Sequence, residues 1–204
     1  MSIASTTDYS LIPYMYSTTD AIVLSLQPQS DKAHVLHAYT RTGGRVNYKV
    51  FGLGRKNAIG TYNPLSLLQI TTDKSSIRTA QLVFVPTTIS SDPYKRTIAL
   101  FLSEVLYHVL RHPMQDEPMF DFIAEAVQAL DQTTEPQNFH LQFLVDFAAK
   151  LGFAMSEGPH PLTTPPLTRT ARQQQLRALC AYFAEHVETW EEPKSLDILM
   201  EVFD

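Results

Sequence analysis

The sequence predicts an α+β chain in which a small five-stranded β-barrel is followed by an all-α helical domain. Two observations carry this. Before residue 92 the apolar residues come in five short runs separated by turn signals, and after it they recur at three- and four-residue steps. The net charge also reverses. Met1 to Arg96 holds ten Lys/Arg and five Asp/Glu, a net of +5, whereas Thr97 to Asp204 holds six and sixteen, a net of −10. Such an asymmetry points to two domains with different partners, and undirected drift of surface charge is the bland alternative.

The bulk composition is that of an ordinary globular protein, with 44% apolar and 18% charged residues in 204. No stretch approaches the ~18 consecutive apolar residues of a membrane span. The first basic residue is Lys32, so the positively charged start of a secretory signal is missing. Cys180 is the one cysteine, which excludes an internal disulfide and a cysteine-based zinc ribbon. A cytoplasmic protein is expected.

Residues 1–19 are rich in Ser, Thr and Tyr without a sustained period and read as an N-terminal extension. Strands are then expected at residues 21–26, 34–40, 45–53, 65–72 and 77–85, with Gly43-Gly44 as a tight turn before the third. Five short strands in about 65 residues suit a closed barrel such as the OB-fold, which removes exposed sheet edges; a short sandwich fits less well. The barrel is assigned to residues 20–91 and the helical domain to 92–204.

Asp92 is a good N-cap and Pro93 suits the first helical position. Ile98, Phe101, Leu102, Val105, Leu106 and Val109 then trace a helix that Pro113 ends. A second helix starts near Asp116, with Phe120, Ile123, Val127 and Leu130 on its apolar face. The third runs from Asn138 to before Gly152 and is apolar over most of its circumference, so it belongs at the centre of the bundle. Residues 156–168 contain four prolines and form a loop; helices at about 170–188 and 194–203 complete the chain.

Lys32 to Thr72 contains six basic residues and no acidic one: Lys32, Arg41, Arg45, Lys49, Arg55 and Lys56. Strand alternation puts Val46, Tyr48 and Val50 on one face of the third strand and Arg45, Asn47, Lys49 and Phe51 on the other. If the first set fills the barrel, the second shows solvent two cations and an aromatic ring. A single-strand groove needs that combination, cations for phosphates and ring faces for bases. Gly52 to Lys56 extends the basic surface as a loop. The plain alternative is a solvated face with Phe51 tucked under a neighbouring element.

Glu104, His108 and His112 stand four residues apart, a spacing that can gather metal ligands, but His112 falls inside the apolar stripe of its helix and Glu104 outside it. The remaining histidines show no metal spacing. No GxSxG elbow, P-loop or GxGxxG motif is present, and no pair of carboxylates stands out as acid and base. The chain is therefore expected not to be an enzyme.

Taken in order, these residues resemble the RecO family of bacterial recombination mediators, in a Bacteroides-type version. Asp20 to Leu24 is similar to the family's opening strand, Tyr39-Thr40-Arg41 with Gly44-Arg45 to its Thr-x-x-x-Gly turn, and Gly52 to Lys56 to its Gly-x-x-Arg/Lys loop. Asn63 to Leu68 resembles its Gln-Pro-Leu/Phe motif. Phe101 to Tyr107, Asn138 to Leu144 and Leu151-Gly152-Phe153 match in the helical half, as does Ser195 to Leu199 with Phe203 at the end.

The resemblance implies an N-terminal OB-fold, a helical C-terminal domain and a part in recombinational repair. It implies binding of single- and double-stranded DNA, strand annealing, and loading of RecA with RecR onto strands coated by single-strand-binding protein (SSB), in the bacterial cytoplasm at the nucleoid. No nucleotide is hydrolysed. Lys32, Arg41, Arg45, Lys49, Phe51, Arg55 and Lys56 would contact DNA. Many members carry a four-cysteine zinc module where this chain has only residues 156–168, so no metal or other cofactor is implied. The family also grips the acidic, phenylalanine-ending SSB tail. In so acidic a helical half, that grip requires Lys150, Arg169, Arg172 or Arg177 to cluster beside an apolar pocket.

Overall fold

A computed structural model describes residues 16–53, 59–155 and 167–202. Strands β1 (Tyr16–Ser30), β2 (Ala33–Thr40), β3 (Gly44–Phe51), β4 (Leu67–Asp73) and β5 (Ser76–Leu82) close into a barrel of order β1-β2-β3-β5-β4. This is the expected OB-type barrel. β1 pairs antiparallel with β2 and with β4, and the parallel pair Lys49↔Ser76 joins β3 to β5.

β1 starts earlier than the sequence suggested. Tyr16 to Thr19, assigned to an extension, pair with Asp73 to Ile70 of β4. The Thr and Tyr residues there suit a strand. Their partner lies some fifty residues away, however, so no local period announces the pairing.

Alternation along β1 feeds two cores. Ala21 and Val23 point into the barrel with Leu36, Ala38, Tyr48, Val50, Leu68 and Ile70. Ile22 and Leu24 point outward and, with Tyr39, Leu65 and Leu67, join the helical core. At roughly 1.5–3 kcal/mol for each fully buried large apolar side chain, these five give the barrel a firm seat on the helices.

The helices are α1 (Thr87–Ser91), α2 (Pro93–Val109), α3 (Glu117–Gln132), α4 (Phe139–Lys150), α5 (Arg169–His186) and α6 (Leu196–Val202). The Asp92 carboxylate accepts from the Tyr94 and Lys95 N–H groups, and Asp116 accepts from that of Met119, so both expected caps form. α4 is central. Its Phe147 is fully buried and stacks on Phe122 and Phe183. The loop expected at 156–168 lies mostly outside the described residues.

The β2–β3 turn docks on the α2–α3 connection. Gly44 has φ 61° there, and a Cβ at that position would run into the Met114 backbone. Only glycine meets both demands.

Candidate nucleic-acid interface

On β3 the inner row is as expected, with Tyr48 and Val50 buried and Val46 packed against them. The outer row, Arg45, Asn47, Lys49 and Phe51, divides in two. At its Gly44 end it lies under the end of α2; at its Phe51 end it is open to solvent.

Arg45 is therefore not a solvent-facing cation, which corrects the sequence reading. Its guanidinium donates to the carbonyls of Tyr107 at 2.9 Å and Leu110 at 3.4 Å, and its backbone N–H donates to His112. These carbonyls belong to the end of α2 and the chain just beyond it. The last carbonyls of a helix lack intrahelical donors and form the negative end of its dipole. A cation on the neighbouring strand is drawn to them, and burial lowers its pKa.

Arg41 is corrected in the same way. It lies 2.8 Å from Asp121 and 3.5 Å from Asp20, with its guanidinium 4.4 Å from the centre of the Phe120 ring. The hydrogen bond that it donates to the Asp121 carboxylate, outweighing burial, raises its pKa. Two carboxylates neutralise it, and it ties β2 to α3.

At the open end, Lys32 is exposed in the β1–β2 turn. Phe51 pairs with Ala33, the next residue, and is 58% exposed. Lys49 is exposed two residues before it. The Lys49 N–H donates to the Ser75 carbonyl at 2.7 Å, which sets Lys49 beside the β4–β5 turn and its exposed Lys74. Lys32, Phe51, Lys49 and Lys74 thus follow one another across this end of the barrel. The acid-free stretch that marks the basic surface in the sequence ends at Asp73 and so stops short of Lys74. Its place in a two-residue turn between strands was the available signal. Arg78 nearby pairs with Asp73 at 2.5 Å. Arg55 and Lys56 lie outside the described residues.

The helical-domain cations also separate. Arg169 and Arg172 line a shallow pocket with His140, Leu176, Leu199 and Met200 between α4, α5 and α6. The Arg177 side chain reaches the Met200 sulfur at 3.5 Å. Arg172 donates to the Leu167 carbonyl at 2.8 Å. Lys150 is not part of this group; its ammonium lies 5.8 Å from the Phe122 ring at the end of α4. His140 of the pocket lies in the first turn of α4 and Lys150 in its last, which keeps the two apart.

The candidate metal ligands do not converge. Glu104 accepts from the Ser195 N–H and hydroxyl, His108 faces Glu191 at 3.6 Å, and His112 supplies its carbonyl to Arg45. Among the described residues no group of three or more His, Cys, Asp or Glu is placed to hold a metal, and no helix is long and apolar enough to cross a membrane.

Residues 90–157, from the end of α1 past the end of α4, match the family model described as Recombination protein O C terminal. Relatives include proteins named DNA repair protein RecO. That of Porphyromonas gingivalis is 28% identical over 245 residues, covering 93% of this chain and 100% of the relative. That of Flavobacterium johnsoniae is 29% identical over 236 residues, with the same coverage. A third, from Phocaeicola vulgatus, is 33% identical over 148 residues, covering 68% of this chain and 61% of its own. The first two alignments are longer than the 204-residue chain, so those relatives carry residues with no counterpart here.

Proposed function

The chain belongs to the RecO family of DNA repair proteins, and from that premise we propose that it binds single-stranded DNA across Lys32, Phe51, Lys49 and Lys74. The observation that carries this reading is Phe51, a large apolar ring 58% exposed on a strand, set between the cations of two turns. Phosphates pair with the ammonium groups while bases stack on the ring. Stacking engages only the π-face, so the Watson–Crick edges stay available to a complementary strand. The cations meanwhile reduce repulsion between the two backbones. Strand annealing follows from that combination without a catalytic group, and so does binding of the resulting duplex through its phosphates.

In repair and recombination the chain would act with RecR to load RecA onto SSB-coated strands. The SSB tail, acidic and ending in phenylalanine, would meet Arg169, Arg172 and Arg177 beside Leu176, Leu199 and Met200. Arg41 and Arg45 serve instead to hold barrel and helices together. That use of two cations favours the rival reading, a protein-interaction scaffold with a structural barrel.

One titration separates them. Binding of oligo-dT is followed by fluorescence anisotropy over a salt series for the wild type and for Lys32→Ala/Lys49→Ala/Lys74→Ala. Each lost single-strand phosphate contact lowers the salt slope by about 0.7, so the triple variant should lose about 2. An unchanged affinity and slope removes DNA from this face.

A further inference from the structure

α3 and α4 leave between them a groove of about 250 Å³, floored by Phe122, Phe139 and Phe143 and flanked by Glu125 on α3 and Asp146 on α4. Both carboxylates are on exposed residues. Asp121 and Glu117 continue the acidic row of α3 at four-residue steps, Asp121 being shared with Arg41. Phe122 stacks on Phe143 at 5.3 Å. The surface complementary to this groove is an exposed aromatic ring flanked by cations. The chain carries one: Phe51, with Lys49 and Lys74.

Within one copy the two are apart: Phe51 is 58% exposed and is not among the residues that line the groove, while Gly44 and Arg45 hold the other end of β3 against the chain after α2. We infer that the Phe51 end of the barrel of one copy docks into the α3–α4 groove of a second copy, ring between the phenylalanines and lysines against Glu125 and Asp146. The contact joins two different surfaces, so it propagates head to tail or closes a ring. It also uses the side chains assigned to DNA. Resting on that reading, single strands and self-association exclude one another, and DNA releases the copies.

Sedimentation velocity tests this at about 0.05 M and about 0.5 M salt, where charge pairing is weakly and strongly screened. The wild type should associate with rising concentration at low salt and be monomeric at high salt. K49E/K74E and E125K/D146K should each be monomeric at low salt. Their equimolar mixture should associate again, the two variants alternating, because every barrel end then meets a groove of opposite charge. Phe51→Ala should abolish association while circular dichroism shows an unchanged fold. A wild type that stays monomeric at low salt, single-site variants that associate as the wild type does, or a mixture that stays monomeric each overturns the contact. Added oligo-dT should dissociate the wild type; binding without dissociation overturns the shared face. Failure of the DNA reading looks different: association persists and oligo-dT does not bind.

Discussion

The guanidinium of Arg45 lies over the ring of Tyr107, 4.2 Å from its centroid, and donates to the carbonyl of the same residue at 2.9 Å. One strand residue thus grips the last turn of α2 through its side chain and the chain beyond that helix through its backbone. His37 adds an edge-on contact to the ring at 5.2 Å, with its own Nδ1 2.7 Å from the Asn47 side-chain oxygen.

Arg45→Ala should therefore destabilise the fold rather than weaken DNA contacts. A cation–π contact is worth about 0.5–2 kcal/mol and a hydrogen bond to a charged group about 1.5–3 kcal/mol. A loss of about 2–4 kcal/mol is expected in urea unfolding. The salt slope for oligo-dT, measured where the variant is folded, should stay at the wild-type value. A reduced slope would put Arg45 on the phosphates after all. Arg45→Lys should recover only part of the stability, because an ammonium lacks the planar fork.

Phe51→Ala should show the opposite pattern. The residue is exposed, so stability should change by no more than about 0.5 kcal/mol. Oligo-dT affinity should fall by about 1–3 kcal/mol, the usual worth of one base on one ring. Because no charge is removed, the salt slope should not move. Phe51→Trp should keep the affinity. Equal affinity for the alanine variant and the wild type would exclude stacking at this position.

Asp131, on the last turn of α3, receives the start of α1. Its carboxylate accepts from the N–H groups of Thr88 and Ile89 at 2.8 Å and of Thr87 at 3.3 Å, while the Lys95 ammonium donates to the Asp131 carbonyl at 2.7 Å. Burial works to raise the carboxyl pKa, but these hydrogen bonds together lower it. The stabilisation is thus complete above the ordinary carboxylate range and is lost as pH falls through the depressed native value. Asp131→Asn should cost about 1–3 kcal/mol at pH 7. Chemical unfolding over a pH series should show the gap from wild type closing below about pH 4. A gap independent of pH would mean that the charge contributes nothing.

His140 is 2% exposed, and burial, reinforced by the Arg172 cation, pushes its pKa down to about 3. The unfolded chain takes up a proton near pH 6.5 that the native chain refuses. Stability is therefore lost as pH drops below that value, by up to about 1.4 kcal/mol per unit. Between pH 7.5 and 5.0, His140→Gln should lose about 2 kcal/mol less than the wild type does, in urea unfolding. Parallel losses in both proteins would show that His140 takes up its proton in the native state.

Local chemistry made much of this molecule readable. Asp92-Pro93 and Asp116 mark helix starts because a cap needs only residues two or three positions away. Tyr48 and Val50 could be assigned to the barrel interior because strand alternation is a property of one segment. The match to the family motifs was legible for the same reason, residue by residue along the chain.

The surface was less legible. Of the cations read from the sequence as one track, Arg45 reaches a helix end 62 residues away and Arg41 reaches Asp121 on α3. Lys74, which alternation and composition passed over, stands beside Lys49 because β5 closes against β3. Tyr16 joins β1 through a partner strand that its own neighbours do not indicate. Most strands, the helix starts with their caps and the core residues could be read from the chain alone, since those follow from spacing and conformational preference within a few residues; the Tyr16 end of β1 could not. The tertiary structure decided which charges face solvent. A cation's partners are whatever carbonyls and carboxylates the fold brings within about 3–4 Å, and that proximity is not a local property of the chain.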